Sequence, residues 1–232
     1  MISVIIPSHN RYDNLVNAIS SVKAQTYKDI EIIVVDDGSS DERYKHVISD
    51  VKIINLPISS RKRLGYPCGA VARNEGMKKS KGEYISFLDD DDIWMPRKLE
   101  IQISEMKKNN IQISSTEGYI GHGYYDKDKH YQKYNREYYW KTLKKIYNLD
   151  TNLPDRFTLN FIKKHNSIIT SSVCFKRELI DKVGYMKLIK NGGEMIGGKR
   201  EWQDWDYWKR LLKHDDCLYI KQPLFYYDLK KY

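Results

Sequence analysis

Four consecutive aspartates, Asp89 to Asp92, follow the apolar segment EYISFL at 83–88. Adjacent carboxylates repel one another unless a cation shares their site. In an extended backbone alternate residues point to the same side, which predicts that Asp89 faces with Asp91 and that Asp90 faces with Asp92. Hard divalent ions prefer carboxylate and phosphate oxygens as ligands. The run therefore indicates a site for a cation and a phosphorylated ligand; the alternative is an acidic loop in which Asp92 caps a helix beginning near Pro96.

The elements that position this run follow from the apolar pattern. Besides 83–88, the segments 2–7, 30–37 and 51–56 are continuous apolar runs, typical of strands buried on both faces of a parallel sheet. A helix is predicted after each of these strands, around 15–22 and over 40–48, 69–80 and 96–109. This alternation predicts a three-layer α/β fold with a mainly parallel, Rossmann-like sheet and right-handed crossovers.

Polar clusters stand at the carboxyl ends of the predicted strands. Ser8-His9-Asn10 follow the first strand, Asp36-Asp37 end the second, and the aspartate run ends the fourth. Ligands of such sheets bind beyond these ends, so the clusters predict one crevice. Asp36-Asp37 either accept hydrogen bonds from a base or ribose or belong to a turn capped by the serines after them. The basic loop 57–68 either approaches a diphosphate or is plain surface.

The second half of the chain is less regular. Strands are predicted at 111–119 and 167–175, and helices at 177–183 and 201–213. Residues 120–150, rich in Tyr, Lys and His, indicate an insertion or a flexible excursion, and the glycine-rich 191–198 indicates a loop that is mobile until a donor binds. Asp204 lies in the first turn of the last helix, where the helix dipole favours it and where it is also a candidate general base.

Charge and composition limit the function classes. The net charge is +9, yet residues 1–50 hold five basic and eight acidic residues and are net −3. The downstream excess suits nucleic acid, an anionic membrane surface, phosphorylated ligands or simply a solvated surface. A nucleic-acid-binding module leaves the aspartates unexplained. No G-x-G-x-x-G motif follows the first strand, which argues against a dinucleotide-dependent oxidoreductase, and PSHNRYDN there argues against a nucleotidyltransferase.

The apolar runs and the cysteines bear on compartment. No run approaches the ~18 residues that a membrane span requires, and the strand pattern begins at residue 2 without a leader. The three cysteines, Cys68, Cys174 and Cys217, lack metal-like spacing, and their odd number argues against a disulfide framework. We expect a complete cytoplasmic protein without a transmembrane segment; the pattern does not define an oligomeric state.

Five motifs in order and spacing resemble the family-two glycosyltransferases of the GT-A fold. They are IIPSHN, VVDDGSSD, ARNEG, KGEYISFLDDDD and QDWDYWKRL, and the similarity is strong over 1–110, moderate over 167–215 and absent over 118–160. The resemblance implies a single GT-A domain over 1–232, with a nucleotide-sugar-binding half at 1–110 and an acceptor-binding half at 111–232 in which 118–160 is variable. It implies inverting transfer from a nucleotide diphosphate sugar, with UDP favoured, to a hydroxyl of a glycan, lipid or protein.

The resemblance also assigns roles to residues. It implies a donor site formed by Pro7, Ser8, His9, Asn10, Asp37, Arg73, Asn74 and Asp90. It assigns Mn²⁺ or Mg²⁺ to Asp91, with Asp89 as the other member of the DxD pair, and the base to Asp204. The family usually has Glu before this Asp, whereas this chain has Gln203. The alternative for the motif ARNEG, residues 72–76, is an ordinary helix face with Arg73 in a salt bridge. A non-catalytic protein that binds nucleotide sugars is the alternative function.

Overall fold

The computed structural model describes residues 1–46, 48–150, 152–196 and 199–229. The strands of the described residues are β1 (Ile2–Ser8), β2 (Ile30–Asp36), β3 (Val51–Asn55), β4 (Tyr84–Phe87), β5 (Ile93–Trp94), β6 (Ile113–Gly121), β7 (Gln132–Lys133), β8 (Arg156–Phe157), β9 (Cys174–Lys176), β10 (Glu194–Ile196), β11 (Lys199–Glu201) and β12 (Cys217–Asp228). The α-helices are α1 (Tyr12–Lys23), α2 (Ser60–Leu64), α3 (Gly69–Lys79), α4 (Lys98–Lys108), α5 (Trp140–Tyr147), α6 (Leu159–Ile162), α7 (Leu179–Val183) and α8 (Gln203–Leu211).

One large sheet runs through both halves of the sequence, in the order β3-β2-β1-β4-β9-β6-β12-β5. The strands β3, β2, β1 and β4 pair in parallel, as the continuous apolar runs predict. Antiparallel β9 joins β4 to β6, and β6 pairs in parallel with β12. The predicted mixed α/β fold with a mainly parallel sheet is confirmed.

Helices cover both faces of the parallel strands. Alternate residues of β1, such as Val4 and Ile6, pack with Leu15 and Ile19 of α1. Ile5 faces the other way, toward α3. A side chain at Gly76 of α3 would collide with Ile5, so glycine permits this close approach of helix and sheet. The approach brings the start of α3 to the carboxyl end of β1.

Two predicted elements of the first half of the chain, the helix at 40–48 and the loop at 57–68, differ from the structure. The predicted helix at 40–48 is a single 3₁₀ turn at Glu42–Lys45; its residue 47 lies outside the described residues. The predicted loop 57–68 contains α2, which begins where Asp37 accepts hydrogen bonds from both the main chain and the side chain of Ser60. The local N-cap Ser59, whose hydroxyl accepts from the Lys62 main chain at 3.4 Å, and the distant Asp37 together fix the start of α2, and periodicity does not detect either contact.

The predicted strand 167–175 is confirmed only in its last residues, where β9 begins at Cys174. Before it, Thr170–Ser172 form a 3₁₀ turn. The carbonyls of Ile168 and Ser171 accept hydrogen bonds from the indoles of Trp208 and Trp94 (3.1 Å and 2.8 Å). Because buried tryptophans satisfy this backbone, the segment does not need a sheet neighbour along its length.

Residues 120–150, predicted to be an insertion or a flexible excursion, are folded against the sheet. A π-helix at Tyr134–Tyr138 leads into α5, with Leu143 fully buried. Glu117 of β6 is also fully buried. Its two oxygens accept hydrogen bonds from the main chains of Gly118, Asn135 and Arg136 and from the Tyr219 hydroxyl, at 2.8–3.0 Å. Glu117 therefore anchors the start of the helical segment.

The glycine-rich 191–198 includes a hairpin strand, because β10 and β11 pair in antiparallel fashion. Gly197 and Gly198 lie outside the described residues, and mobility of the segment stays a prediction. The twelve-residue strand β12 was not predicted. Its register against β6 shifts on both sides of Pro223, so the sequence lacks the regular alternation of a long strand.

The described helices include none that is long and apolar enough to cross a bilayer. Cys68, Cys174 and Cys217 are buried free thiols, in agreement with the predicted absence of a disulfide framework.

Replacing Glu117 tests whether this carboxylate anchors the segment 134–147. In Glu117→Gln an NH₂ group, which can only donate, replaces one of the two oxygens that accept from these four donors, so we expect a loss of about 1–3 kcal/mol in the free energy of unfolding. Urea denaturation measures the loss. Glu178→Gln is the matched control, since the Glu178 side chain is 59% exposed and should change stability little. Equal stability of both variants would contradict the anchoring role.

Candidate active site

A cleft of about 630 Å³ opens at the carboxyl ends of β1, β2 and β4. It lies where the three polar clusters of the sequence were predicted to meet. Its lining includes Pro7, Ser8, His9, Arg11, Asp37, Ser60, Arg61, Cys68, Gly69, Arg73, Asp89, Asp90, Asp91 and Asn191. The cleft therefore brings together most of the predicted donor-site residues and both members of the predicted DxD pair.

The aspartate run forms a turn and not an extended strand. The Asp92 amide donates to the Asp89 carbonyl at 3.1 Å, which places Asp90 and Asp91 at the two central positions. The alternation predicted for an extended backbone is therefore wrong: Asp90 lines the cleft together with Asp89 and Asp91. Asp92 alone of the four is fully buried and absent from the lining.

Arg11 connects two of these carboxylates and was not among the predicted site residues. Its Nη1 lies 3.0 Å from Oδ1 of Asp90 and 2.8 Å from Oδ2 of Asp91. The second oxygen of Asp90 accepts from the Ser8 hydroxyl at 2.7 Å. The one signal in the sequence was the position of Arg11, directly after the polar cluster that ends β1.

The turn concentrates negative charge in a partly desolvated place. Burial and the charges of Asp89 and Asp90 raise the pKa of Asp91 to about 7, against the attraction of Arg11. Burial also raises the pKa of Asp90, opposed by Arg11 and Ser8. A site in which carboxylates resist ionisation in this way gains stability from any further cation.

Arg73 is the second cation of the cleft. It is buried, and its Nη2 lies 2.5 Å from Oδ1 of Asp89, which confirms the salt bridge expected of ARNEG. The same ion pair holds the first aspartate of the turn against α3. Asn74 does not reach the cleft: both ends of its amide bond to the main chain of Met186 at 2.9 Å.

Residues at the ends of β1 and β2 form another part of the cleft wall. Asp37 lines it, yet both carboxylate oxygens accept hydrogen bonds from Ser60, so it also caps α2. His9 is exposed at the rim, with Nδ1 2.9 Å from the Asp37 carbonyl. Asn10 lies outside the lining and accepts hydrogen bonds from the main chains of Ser40 and Asp41.

Asp92 does not cap a helix. Its Oδ1 accepts from the main chain of Asp228 at 3.1 Å, and α4 begins after Arg97 without a side-chain cap. Burial and the charges of Asp91 and Asp89 raise the pKa of Asp92 well above its usual range. Asp92 therefore joins the aspartate turn to β12, a link between strands distant in sequence.

Asp204 lines a smaller cavity of about 260 Å³ that is adjacent to the cleft. Gly69, Arg73, Asp89 and Asn191 line both. The Asp204 carboxylate is half-buried, and its Oδ2 accepts from Nδ2 of Asn166 at 2.9 Å. Asn166 was not predicted, because it is adjacent to Asp204 only in the folded chain.

The environment of Asp204 differs from that of Asp206. Burial raises the pKa of Asp204, while hydrogen bonds from the Trp205 main chain and from Asn166, and the charge of Arg73, oppose the rise. Asp206 turns away, as helical geometry predicts, and pairs with Lys187 and Arg210 at 2.8 Å. Of these two aspartates, Asp204 lines the cavity beside the aspartate turn and Asp206 does not.

Gln203, which replaces the usual Glu before the base, has a structural partner. Its Nε2 donates to Oδ1 of Asn191 at 2.6 Å. The Gly69 amide at the start of α3 donates to the same oxygen at 3.3 Å. Gln203 thus ties α8 and α3 to Asn191, which lines both cavities.

The fold and the site define an α/β protein with an acidic cleft at its strand ends. Residues 3–178 match the model of the family described as Glycosyl transferase family 2. The match spans more than half of the chain, and the chain belongs to this family. The family identified by resemblance is confirmed.

Two curated relatives from Escherichia coli carry specific names. WfgD, a UDP-Glc:alpha-D-GlcNAc-diphosphoundecaprenol beta-1,3-glucosyltransferase, is 45% identical over 116 residues, which cover 49% of this chain and 44% of WfgD. WfaP, with the same description, is 37% identical over 123 residues, 52% of this chain and 47% of WfaP. The chain thus matches less than half the length of either relative.

Solved structures of S. aureus TarS share the fold. TarS superposes with a TM-score of 0.68 at 16% identity, covering 98% of this chain and 36% of TarS. TarS 1-349 in complex with UDP-GlcNAc superposes with a TM-score of 0.67 at 17% identity, over 100% of this chain and 59% of that one. Similarity at this identity supports the GT-A fold alone.

The hydrogen bond from Asn166 should set the pH at which Asp204 ionises. Its loss in Asn166→Ala should raise the pKa of Asp204 further, because a donor to the charged form is removed. If Asp204 is a base, the rate of donor hydrolysis falls as pH drops through this pKa, and the acid limb of the variant should lie about one pH unit higher.

The release of nucleotide diphosphate measured across pH checks this shift. Asn160→Ala is the matched control, since Asn160 is exposed on α6 and should leave the acid limb in place. An acid limb that does not move in Asn166→Ala would show that Asp204 does not control the rate.

Proposed function

We propose that the chain is an inverting, metal-assisted glycosyltransferase that moves a sugar from a UDP-sugar to an acceptor hydroxyl. One observation carries the proposal: Asp204 and the aspartate turn line two adjacent cavities that share Arg73 and Asp89. A donor diphosphate at the turn would place its sugar toward Asp204. The names of WfgD and WfaP, and the UDP-GlcNAc complex of TarS, support a UDP-sugar donor.

The residues at the turn fit a divalent ion. They offer hard carboxylate oxygens, and burial together with the charges of Asp89 and Asp90 raises the pKa of Asp91, an effect that a bound cation would oppose. Within the described ranges no group of three or more His, Cys, Asp or Glu side chains is gathered to hold a metal. Asp91, with Asp89 beside it, would hold Mn²⁺ or Mg²⁺ when the donor binds. When bound, such an ion neutralises charge on the leaving diphosphate.

The chain's own side chains would perform the remaining steps. The acceptor oxygen attacks the anomeric carbon from the face opposite the diphosphate, and the bond from that carbon to the phosphate oxygen breaks with its electrons leaving on UDP. Asp204 takes the hydroxyl proton as the new bond forms. Asn166 and Arg73 keep Asp204 available as a carboxylate. Ser8 and Arg11 hold Asp90 in place for a ribose contact.

The acceptor is proposed to be a lipid-linked sugar diphosphate. Both E. coli relatives are named for an acceptor of this class, GlcNAc-diphosphoundecaprenol. The acceptor would bind on the Asp204 side of the cleft, where Ile169, Trp202 and Tyr227 also line the smaller cavity. These apolar and aromatic groups suit the face of a sugar ring.

Two substitutions at the turn test the metal. UDP should bind the wild-type chain at least about tenfold more tightly with Mn²⁺ than with EDTA, a difference of about 1.4 kcal/mol. Asp91→Asn should lose this difference. Asp92→Asn should keep it, because Asp92 is buried away from the cleft and an amide oxygen still accepts from Asp228.

Calorimetric titration measures both affinities. If wild-type affinity is the same with Mn²⁺ and EDTA, the metal has no part in donor binding. If Asp92→Asn loses the metal effect while Asp91→Asn retains it, the metal ligand is assigned to the wrong aspartate.

Asp204→Asn tests the base. The change is isosteric, so the fold and UDP affinity should persist, while donor hydrolysis should fall about 10²–10⁴-fold, the usual contribution of a positioned base. Asp206→Asn is the control within the same helix turn, and it should lose some stability with its ion pairs but keep activity. If the wild-type chain binds UDP-sugars yet never turns one over, it is a nucleotide-sugar-binding protein and not a transferase.

A further inference from the structure

Five exposed lysines, Lys141, Lys144, Lys145, Lys163 and Lys164, form what we call the lysine patch. In the described part of the chain no carboxylate pairs with any of them. Three of them lie on one face of α5, because their spacing is i, i+3 and i+4. Residues 138–165 hold six basic and two acidic residues, and one of the two acids, Asp155, already pairs with Lys221.

The lysines of α5 are adjacent in the fold to Lys163 and Lys164, which follow α6. Tyr147 at the end of α5 stacks on Phe161 of α6, with ring centroids 3.8 Å apart. The Tyr147 hydroxyl donates to the carbonyls of Phe161 and His165 at 2.8 Å and 3.2 Å. Lys164 lies over the Tyr147 ring, 5.8 Å from its centroid. The lysines of α5 and those after α6 therefore belong to one surface.

An apolar cavity opens within this surface. It has a volume of about 420 Å³, and its lining combines Tyr147, Leu149, Pro154 and Phe161 with the polar Asn152, Thr158, Asn160 and Lys164. Aromatic and aliphatic side chains beside lysines are the composition of protein surfaces that lie in the interface of a bilayer.

The segment that carries Lys163 and Lys164 contacts helix α8, which carries the proposed base. The Trp205 indole donates to the Ile162 carbonyl at 2.7 Å, directly before Lys163 in sequence. Asn166, two residues after Lys164, donates to Asp204. A surface bound at the patch would therefore present its molecules to the Asp204 side of the cleft.

We propose that the lysine patch and its apolar cavity dock the chain onto an anionic phospholipid bilayer, with a lipid chain in the cavity. Unpaired lysines attract an anionic membrane surface, and each adds to the affinity. The docking extends the proposed function, on which it rests, because a lipid-linked acceptor is confined to a bilayer. The enzyme would meet the acceptor's sugar at Asp204 while its lipid stays in the membrane.

The aromatic rings favour a membrane over a nucleic acid. Single-stranded nucleic acids stack their bases on free aromatic faces. Here Tyr147, Phe161 and Phe157 stack on one another, with interplanar angles of 4° and 3°, and Tyr219 continues the stack. The stacked faces are thus covered by protein, and the cavity that Tyr147 and Phe161 also line is open.

Vesicle co-sedimentation of the whole chain tests the docking. The wild type should bind phosphatidylcholine vesicles that contain phosphatidylglycerol and not vesicles of phosphatidylcholine alone. Binding should weaken between about 0.1 M and about 1 M salt, where the Debye length falls from about 10 Å to about 3 Å. The triple variant Lys141→Gln, Lys144→Gln, Lys145→Gln should lose about a hundredfold in vesicle affinity.

A second triple variant, Lys28→Gln, Lys79→Gln, Lys107→Gln, is the matched control. It removes the same charge from exposed lysines elsewhere and should keep most of the vesicle binding. UDP affinity should be unchanged in both variants, which shows that they fold. Equal losses in the two variants would mean that net charge and not this surface binds the membrane.

The outcomes separate this inference from the proposed function. A wild type that hydrolyses donor but binds no anionic vesicles overturns the docking and leaves the transferase intact. Vesicle binding through the patch without any turnover supports the docking and refutes the transferase. If the patch variant loses affinity for single-stranded RNA while the wild type ignores vesicles, the partner is a nucleic acid and the proposal is wrong.

Discussion

Three carboxylates held together at a strand end, Asp89, Asp90 and Asp91, are the constraint on which the site depends. Burial, and after it the charges of Asp89 and Asp90, raise the pKa of Asp91 to about 7. Arg73 from α3 and Arg11 from the start of α1 oppose that repulsion, and each arrives from an element packed on a different face of the sheet. The parallel sheet thus positions Arg11 and Arg73, and these two cations stabilise the acidic turn.

The same turn couples the two halves of the chain. Asp92 accepts from Asp228 of β12, the Asp89 amide donates to the Ser171 hydroxyl, and Asp89 lines the cavity that also contains Asp204. The proposed donor and acceptor sides are therefore linked through one four-residue segment. A substitution that loosens the turn should affect both sides, whereas loss of Glu117 should affect the acceptor side first.

The sequence predicts the parallel half of the fold well, because strands buried on both faces are continuous apolar runs and need no tertiary information. It also locates Ser8, Asp37 and the aspartates at one crevice, since strand ends meet by topology. The predicted direction of the aspartate side chains was wrong because the backbone turns at Asp89–Asp92. Hydrophobic periodicity does not report a turn inside an acidic run. Arg11, Asn166 and Glu117 escaped prediction because their partners are distant in sequence. The long strand β12 escaped because its register shifts around Pro223 hide the alternation.

The central claim is that the aspartate turn holds the donor diphosphate through a divalent ion, facing Asp204. Anomalous diffraction from a crystal of the chain grown with Mn²⁺ and UDP tests it most directly. The account predicts one Mn²⁺ peak in contact with a carboxylate oxygen of Asp91 and with the diphosphate, with Arg11 moved off Asp91. A diphosphate bound to Arg11 and Arg73 with no Mn²⁺ at the turn, or Mn²⁺ bound away from Asp89 and Asp91, would contradict it.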